Sequence, residues 1–115
     1  MTVLVLMTTG RKSGRAIETP LTYFTDDGVI FVIASKGGDP RNPGWFHNLI
    51  AEPDVSVLLD GKKTPLRAEV VVEEAVRKRL FDKAAATYGG YSGYQERTER
   101  QIPVIRLLSR NLPKT

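Results

Sequence analysis

Cysteine is absent from these 115 residues, and histidine and tryptophan occur once each, as His47 and Trp45. The missing cysteines exclude disulfides, thiolate nucleophiles and sulfur-ligated metals, and make a reducing cytoplasm the expected setting. A single histidine excludes multi-histidine metal centres and most catalytic triads, so no metal site is expected. No apolar run approaches the roughly 20 residues that span a bilayer. Met1 leads straight into strand-like residues with no charged leader before them, so no signal peptide is read. Carboxylates do not pair at a spacing that suits acid–base work; Glu73-Glu74 fit better as acids on the first turn of a helix. Repeats, linkers and low-complexity segments are also lacking.

Lysine and arginine outnumber aspartate and glutamate 17 to 13, a net charge of +4. That balance tilts partners toward anions. Placement says more than the sum, because Arg11, Lys12 and Arg15 crowd one glycine-flanked loop while Lys36 and Arg41 crowd another. Neither loop has the G-x-x-x-x-G-K-[ST] spacing of a triphosphate-binding loop. The second belongs to the most informative stretch, Ala34 to Asn48, which leaves an apolar strand and passes Lys36, Gly37, Gly38 and Arg41. It is expected to start a helix with Asn42 as N-cap and Pro43 at the first helical position. Free amide groups at a helix start, with cations and glycines just upstream, suit a phosphate or carboxylate.

Thr2 to Met7 reads as a strand buried on both faces and Ile17 to Thr25 as a second, pushed toward an edge or a bulge by Pro20. Asp26-Asp27-Gly28 turns the chain into a third strand, Val29 to Ala34. In the helix that follows, Trp45 with Leu49 and Phe46 with Ile50 form two inward stripes, and Pro53 ends it. Val55 to Leu59, the Asp60-Gly61 turn and Lys63 to Val72 make a hairpin, with Leu66, Ala68, Val70 and Val72 on its buried face. A helix from Glu73-Glu74 to about Tyr88 sets Val76, Leu80, Ala84 and Tyr88 on one side. Ile102 to Leu108 is the last strand, and Arg110 to Thr115 a frayed tail. One domain is placed at residues 1–110, with 111–115 outside it. Tight hairpins and this element order predict a mostly antiparallel barrel with helices packed on it.

Ser13 and Ser35 have no base nearby in sequence, and His47 reads as packing or a surface hydrogen bond. Trp45 and Phe46 are core by default. Tyr88, Tyr91 and Tyr94 alternate with Gly89, Gly90 and Gly93, which fits an aromatic flap over a planar ligand better than simple packing. The residues alone lead to a barrel that binds a planar anionic small molecule.

The blocks Thr8-Thr9-Gly10-Arg11-Lys12-Ser13-Gly14, Thr19-Pro20-Leu21, Ala34-Ser35-Lys36-Gly37-Gly38, Asn42-Pro43-Gly44-Trp45-Phe46-His47-Asn48-Leu49 and Tyr88-x-x-Tyr91-x-x-Tyr94-Gln95 stand in this order. With Arg97-Thr98 and Ile102-Pro103-Val104, they resemble the deazaflavin-dependent nitroreductase family of actinobacteria across nearly the whole chain. The resemblance implies the split β-barrel fold of the flavin-reductase and pyridoxamine-oxidase superfamily, mostly β (α+β), with about six mainly antiparallel strands and two or three packed helices. It implies coenzyme F420, a deazaflavin with a phosphodiester and a polyglutamate tail, whose reduced form passes hydride to quinones, nitroaromatics or other unsaturated acceptors. Arg11, Lys12, Ser13, Arg15, Thr19, Pro20, Ser35, Lys36, Gly37, Trp45 and Asn48 would then bind the cofactor. Ser35, Tyr91 and Tyr94 would stand by the reacting ring and the acceptor.

Thr22 stands where that family often has an aromatic residue after its Pro-Leu pair, so one wall of the acceptor pocket is expected to differ. Relatives usually carry a further N-terminal segment, sometimes amphipathic. Peripheral membrane association of an otherwise cytoplasmic protein is expected only if such a segment is missing here. Monomer and homodimer are both compatible with the residues. Three alternatives stay open: a split barrel using FMN, a non-catalytic carrier of F420 or anionic lipid, and, ranked lowest, a nucleic-acid-binding barrel with tyrosine stacking platforms. The leading reading has no nucleic-acid partner.

Overall fold

A single kinked run, residues 16–26, turns a flat ladder of strands into a barrel. The computed structural model describes residues 3–35, 41–87, 91, 93, 95 and 101–110. In chain order these form β1 (Val3–Thr9), β2 (Ala16–Thr22), β3 (Phe24–Asp26), β4 (Val29–Ile33), α1 (Gly44–Ala51), β5 (Asp54–Leu59), β6 (Lys62–Val70), α2 (Glu74–Thr87) and β7 (Val104–Ser109). The strands pair in the order β2-β1-β5-β6-β7-β4-β3, and every neighbouring pair is antiparallel. Only Tyr23 separates β2 from β3, so the two ends of this ladder are one continuous piece of chain. That run lies on β1 as far as Thr22 and on β4 from Phe24. The sheet therefore closes on itself through the kink, leaving β2 without a strand partner on its outer side among the described residues.

The predicted strand Ile17–Thr25 is this run, and its change of partner at Tyr23 gives seven strands where about six were expected. Its missing ladder donor suits Pro20 to an edge, and β2 is an edge. Pro65 is tolerated in β6 for a related reason. It pairs with Ser56, but the β6–β7 ladder starts only at Leu66. The hairpin signals hold as well: Asp27 and Gly28 have φ of 52° and 80°, and Asp60 and Gly61 have 53° and 77°. Two successive positive φ values are what a tight two-residue hairpin turn needs.

Two apolar cores result. Inside the barrel, Leu4, Leu6, Val32, Val55, Val57, Ile105 and Leu107 pack beneath Trp45 and Leu49 of α1. Outside it, α2 lays Leu80, Phe81 and Ala84 on Phe24, Phe31, Ile33 and Val104. Each fully buried Val, Leu, Ile or Phe among them contributes about 1.5–3 kcal/mol. Phe31 and Val32 point into different cores, which explains why β4 is apolar at successive positions.

Some expectations fail, each for a tertiary reason. β1 is buried on one face only, with Leu4, Leu6 and Thr8 inside, whereas Val5 and Met7 are half-buried and Val3 is 51% exposed, because no described element covers its outer side. Ile50 is exposed, so α1 has one inward stripe and not two. The β6 alternation slips where the strand ends at Val70. Val71 is buried, its amide donating to the Val104 carbonyl at 2.9 Å, and Val72 is 90% exposed. Arg110 does not fray. Its guanidinium donates to the Leu66 carbonyl at 2.9 Å and the Val55 carbonyl at 2.6 Å, pinning the end of β7 over β5 and β6. Residues 111–115, Tyr88 and the Gly89-Gly90 break lie outside the described residues.

α2 is also fastened to the β3–β4 hairpin by charge. Asp26 accepts hydrogen bonds from Arg79 at 3.0 and 3.2 Å and from Lys83 at 3.1 Å. These bonds, Arg79's first and Lys83's second, hold the Asp26 carboxyl below the usual carboxylate range. A depressed native pKa stabilises the fold above the unfolded-state value near 4, and the gain is lost as pH falls through the native value. Asp26→Asn is expected to lower Tm at pH 7. The gap to wild type should close as melting is followed below about pH 4.

Candidate functional site

The first hairpin and α1 meet at a buried carboxamide. Asn48 is 6% exposed and Thr8, near the end of β1, is 3% exposed. Asn48 Nδ2 donates to Thr8 Oγ1 at 3.3 Å. Asn48 Oδ1 accepts twice from Arg11, from the backbone amide at 3.2 Å and from Nη1 at 2.9 Å. The same Nη1 reaches the Gly44 carbonyl at 3.3 Å, in the first turn of α1. A polar side chain this buried has to have its donors and acceptors matched, and here both ends of the amide are.

The loop that Arg11 leads closes on itself. Gly10 donates to the Arg15 carbonyl at 2.7 Å and Gly14 to the Gly10 carbonyl at 2.8 Å, while the Arg15 amide donates to Ser13 Oγ at 3.1 Å. Gly14 has φ of 74°, a conformation open to glycine at little cost. Gly10 is glycine for space: a Cβ there would stand 2.6 Å from Ser13 Oγ. Between this loop and α1 lies a cleft of about 240 Å³, lined by Gly10, Arg11, Lys12, Ser13, Ile17 and Asn48. Lys12 and Arg15 are exposed, and neither side chain has an ion-pair partner among the described residues.

Of the residues singled out from sequence, Arg11, Lys12, Ser13 and Asn48 thus line one cleft, with Arg15 on the same loop. Arg11, expected at a phosphate, instead directs Nη1 at α1. Trp45, expected in a cofactor groove, is 8% exposed and belongs to the barrel core. The helix starts at Gly44 with Pro43 as N-cap and no side-chain cap, so Asn42 is not the cap. The amide of Phe46 already bonds the Pro43 carbonyl at 3.0 Å. Thr19 and Pro20 lie on the unpaired β2 edge. Ser35 is half-buried just past β4, where Ala34 donates to the Pro103 carbonyl at 3.0 Å.

Tyr91 is 6% exposed, its ring edge-on to Phe24 at 5.7 Å and to Phe81 at 6.4 Å. That is core packing, not a flap. Lys36, Gly37 and Tyr94 lie outside the described residues. His47 is exposed with its ring edge-on to Phe46 at 5.7 Å. No cluster of three or more metal-ligating side chains occurs among the described residues. Thr8 and the Gly44 carbonyl were not legible as site components, because each contributes through one long-range hydrogen bond.

A barrel closed by a kinked strand, with a basic loop braced on a helix beside a free strand edge, is the architecture of the split-barrel flavin-reductase-like proteins. A haem storage protein of Vibrio cholerae, 16% identical with a TM-score of 0.73 over 96% of this chain and 83% of its own, shares that fold alone. Within the class, a family model described as F420H2-dependent quinone reductase matches residues 1–109, and the chain belongs to that family. An F420H2-dependent quinone reductase of Mycobacterium tuberculosis is 41% identical over 109 residues, 93% of this chain and 73% of that protein. A solved F420-H2-dependent reductase is 36% identical, with a TM-score of 0.82 over 92% of this chain and 93% of its own.

The residues present fit one part of the family's cofactor, its anionic phosphate and glutamate tail. The cleft is lined by Gly10, where a Cβ would stand 2.6 Å from Ser13 Oγ, and by the exposed Lys12, with the exposed Arg15 on the same loop. The Gly10–Ser13 contact is testable by a double-mutant cycle in urea. Gly10→Ala should cost about 1 kcal/mol by displacing the Ser13 hydroxyl from the Arg15 amide, and Ser13→Ala should leave Gly10→Ala with less to disrupt.

Proposed function

We propose that this chain transfers a hydride from reduced coenzyme F420 to a quinone or a comparable unsaturated acceptor. The observation that carries the reading is the braced basic loop and its cleft, in a chain belonging to a family described by that reaction. Bound there, the deazaflavin would supply the hydride; the protein's part is to hold it, orient the acceptor and exclude competing chemistry. Lys12 and Arg15 are the cations for the phosphate and tail, and the Gly10–Gly14 turn lets the backbone approach closely. Thr19 and Pro20 offer the unpaired β2 edge as one side of the groove, and Trp45 stiffens its wall from within the core.

A quinone that has accepted hydride carries negative charge on oxygen until it is protonated. Ser35, half-buried beyond the end of β4, is the described hydroxyl suited to donate a hydrogen bond to that oxygen as the charge develops. Lys36, Gly37 and Tyr94 extend the site on the sequence reading. Tyr91 is assigned to the wall, as support for the second core. Thr22 in place of an aromatic residue makes quinones the acceptor to test first.

Lys12→Ala should weaken coenzyme F420 binding by about 1.5–3 kcal/mol, the range for a hydrogen bond to a charged group, with Tm unchanged. Fluorescence titration with F420 and FMN measures this directly, and tighter binding of FMN would overturn the cofactor assignment. Ser35→Ala should lower kcat for menadione, followed by absorbance, more than it raises the KM for coenzyme. Binding of F420 without turnover of menadione or a nitroaromatic would leave a carrier in place of an enzyme.

A further inference from the structure

We infer that Asn48 is a positioning residue, whose buried carboxamide, oriented by Thr8, locks Arg11 and with it the loop that presents Lys12 and Arg15. The amide orientation is fixed by chemistry. Oδ1 takes two donors from a cation that cannot accept, so Nδ2 is left to face Thr8 Oγ1. Thr8 is nearly inaccessible, pairs with Ile17 of β2 and directly follows Met7, where β1 is paired on both sides, so the chain of contacts starts from a rigid point. It ends on Arg11, the first residue past Gly10, whose backbone and side chain are both held by the same oxygen. Holding two points of one residue fixes the direction in which the loop leaves the barrel, and so where Lys12 stands at the cleft. Preset cations bind an anion with less ordering cost than free ones. Asn48 then works at one remove, through Arg11, and Arg11 serves as a strut.

The part concerning cofactor affinity rests on the F420 reading; the part concerning loop order does not. Limited trypsin digestion separates them, because cleavage after Arg11 requires its guanidinium to leave Asn48 and Gly44 and enter the protease. In Thr8→Val and Asn48→Leu, cleavage after Arg11, identified by mass spectrometry, is expected to quicken about tenfold, the effect of weakening one restraint by 1.4 kcal/mol. Thr8→Ser keeps the hydroxyl and should digest like wild type. The KM for reduced F420 should rise by a similar factor in the two disrupting variants, with a smaller change in kcat. Thr8→Val is nearly isosteric and carries the test if Asn48→Leu fails to fold. Wild-type digestion rates in folded Thr8→Val would overturn the lock. Faster digestion with an unchanged KM would overturn its link to the cofactor. A wild-type protein that does not oxidise reduced F420 would remove the functional reading while the digestion result still decides the lock.

Discussion

Everything at the candidate site depends on one oxygen atom. Asn48 Oδ1 accepts from the amide and the guanidinium of Arg11, and the Asn48–Thr8 and Arg11–Gly44 bonds between the first hairpin and α1 gather around the same two side chains. Without that oxygen, the glycine loop between β1 and β2 would keep its internal bonds and the longer Arg11–Gly44 contact but lose the hold on the Arg11 backbone. With it, the loop becomes a continuation of the helix. The bond lies where a carboxamide is shielded from water, and a half-satisfied buried amide costs more than its absence. The contact is therefore made completely or becomes a liability.

The barrel makes that contact available by closing in an unusual way. One strand serves two partners, lying along β1 and then, past Tyr23, along β4. The kink brings the ladder's ends together at one level and, among the described residues, leaves the β2 edge without a strand at the other. An unpaired edge is ordinarily a hazard. Here Pro20 removes a donor from it, and the basic hairpin loop stands at its start. The split is this gap in hydrogen bonding along β2, the edge that the proposed function assigns to one side of the cofactor groove.

Charge is distributed to match. On the α2 side, Arg77, Lys78, Arg79 and Lys83 are paired with Glu74, Asp82 and Asp26, so their cations serve the fold. On the β6–β7 side, Arg67 and Arg106 are paired with Asp54 and Glu69. Lys12 and Arg15 have no such partner among the described residues. The modest net charge of +4 thus understates the site. The six cations just named are neutralised locally, while Lys12 and Arg15 stay open on the loop beside the cleft.

The sequence alone determined the strand-rich order, both Asp-Gly turns, the pull of Pro20 toward an edge or a bulge, the burial of β4 and the basic glycine loop. Each of these is written in neighbouring residues: a period of two, a residue without an amide hydrogen, a glycine where φ must be positive. It also carried the family, since five ordered blocks are spread along most of the chain. Tertiary structure decided which faces are covered and which groups meet. Nothing local tells Ile50 from Leu49, or Val72 from Val71, because only the partner across the interface makes one of each pair inward. Tyr91 looked like part of a flap and is packed in the second core, since Phe24 lies far from it in sequence and beside it in space. The bond between Asn48 and Arg11 spans 37 positions, and whether a cation reaches outward for a ligand or inward for a carboxamide is settled by the path of the chain between them.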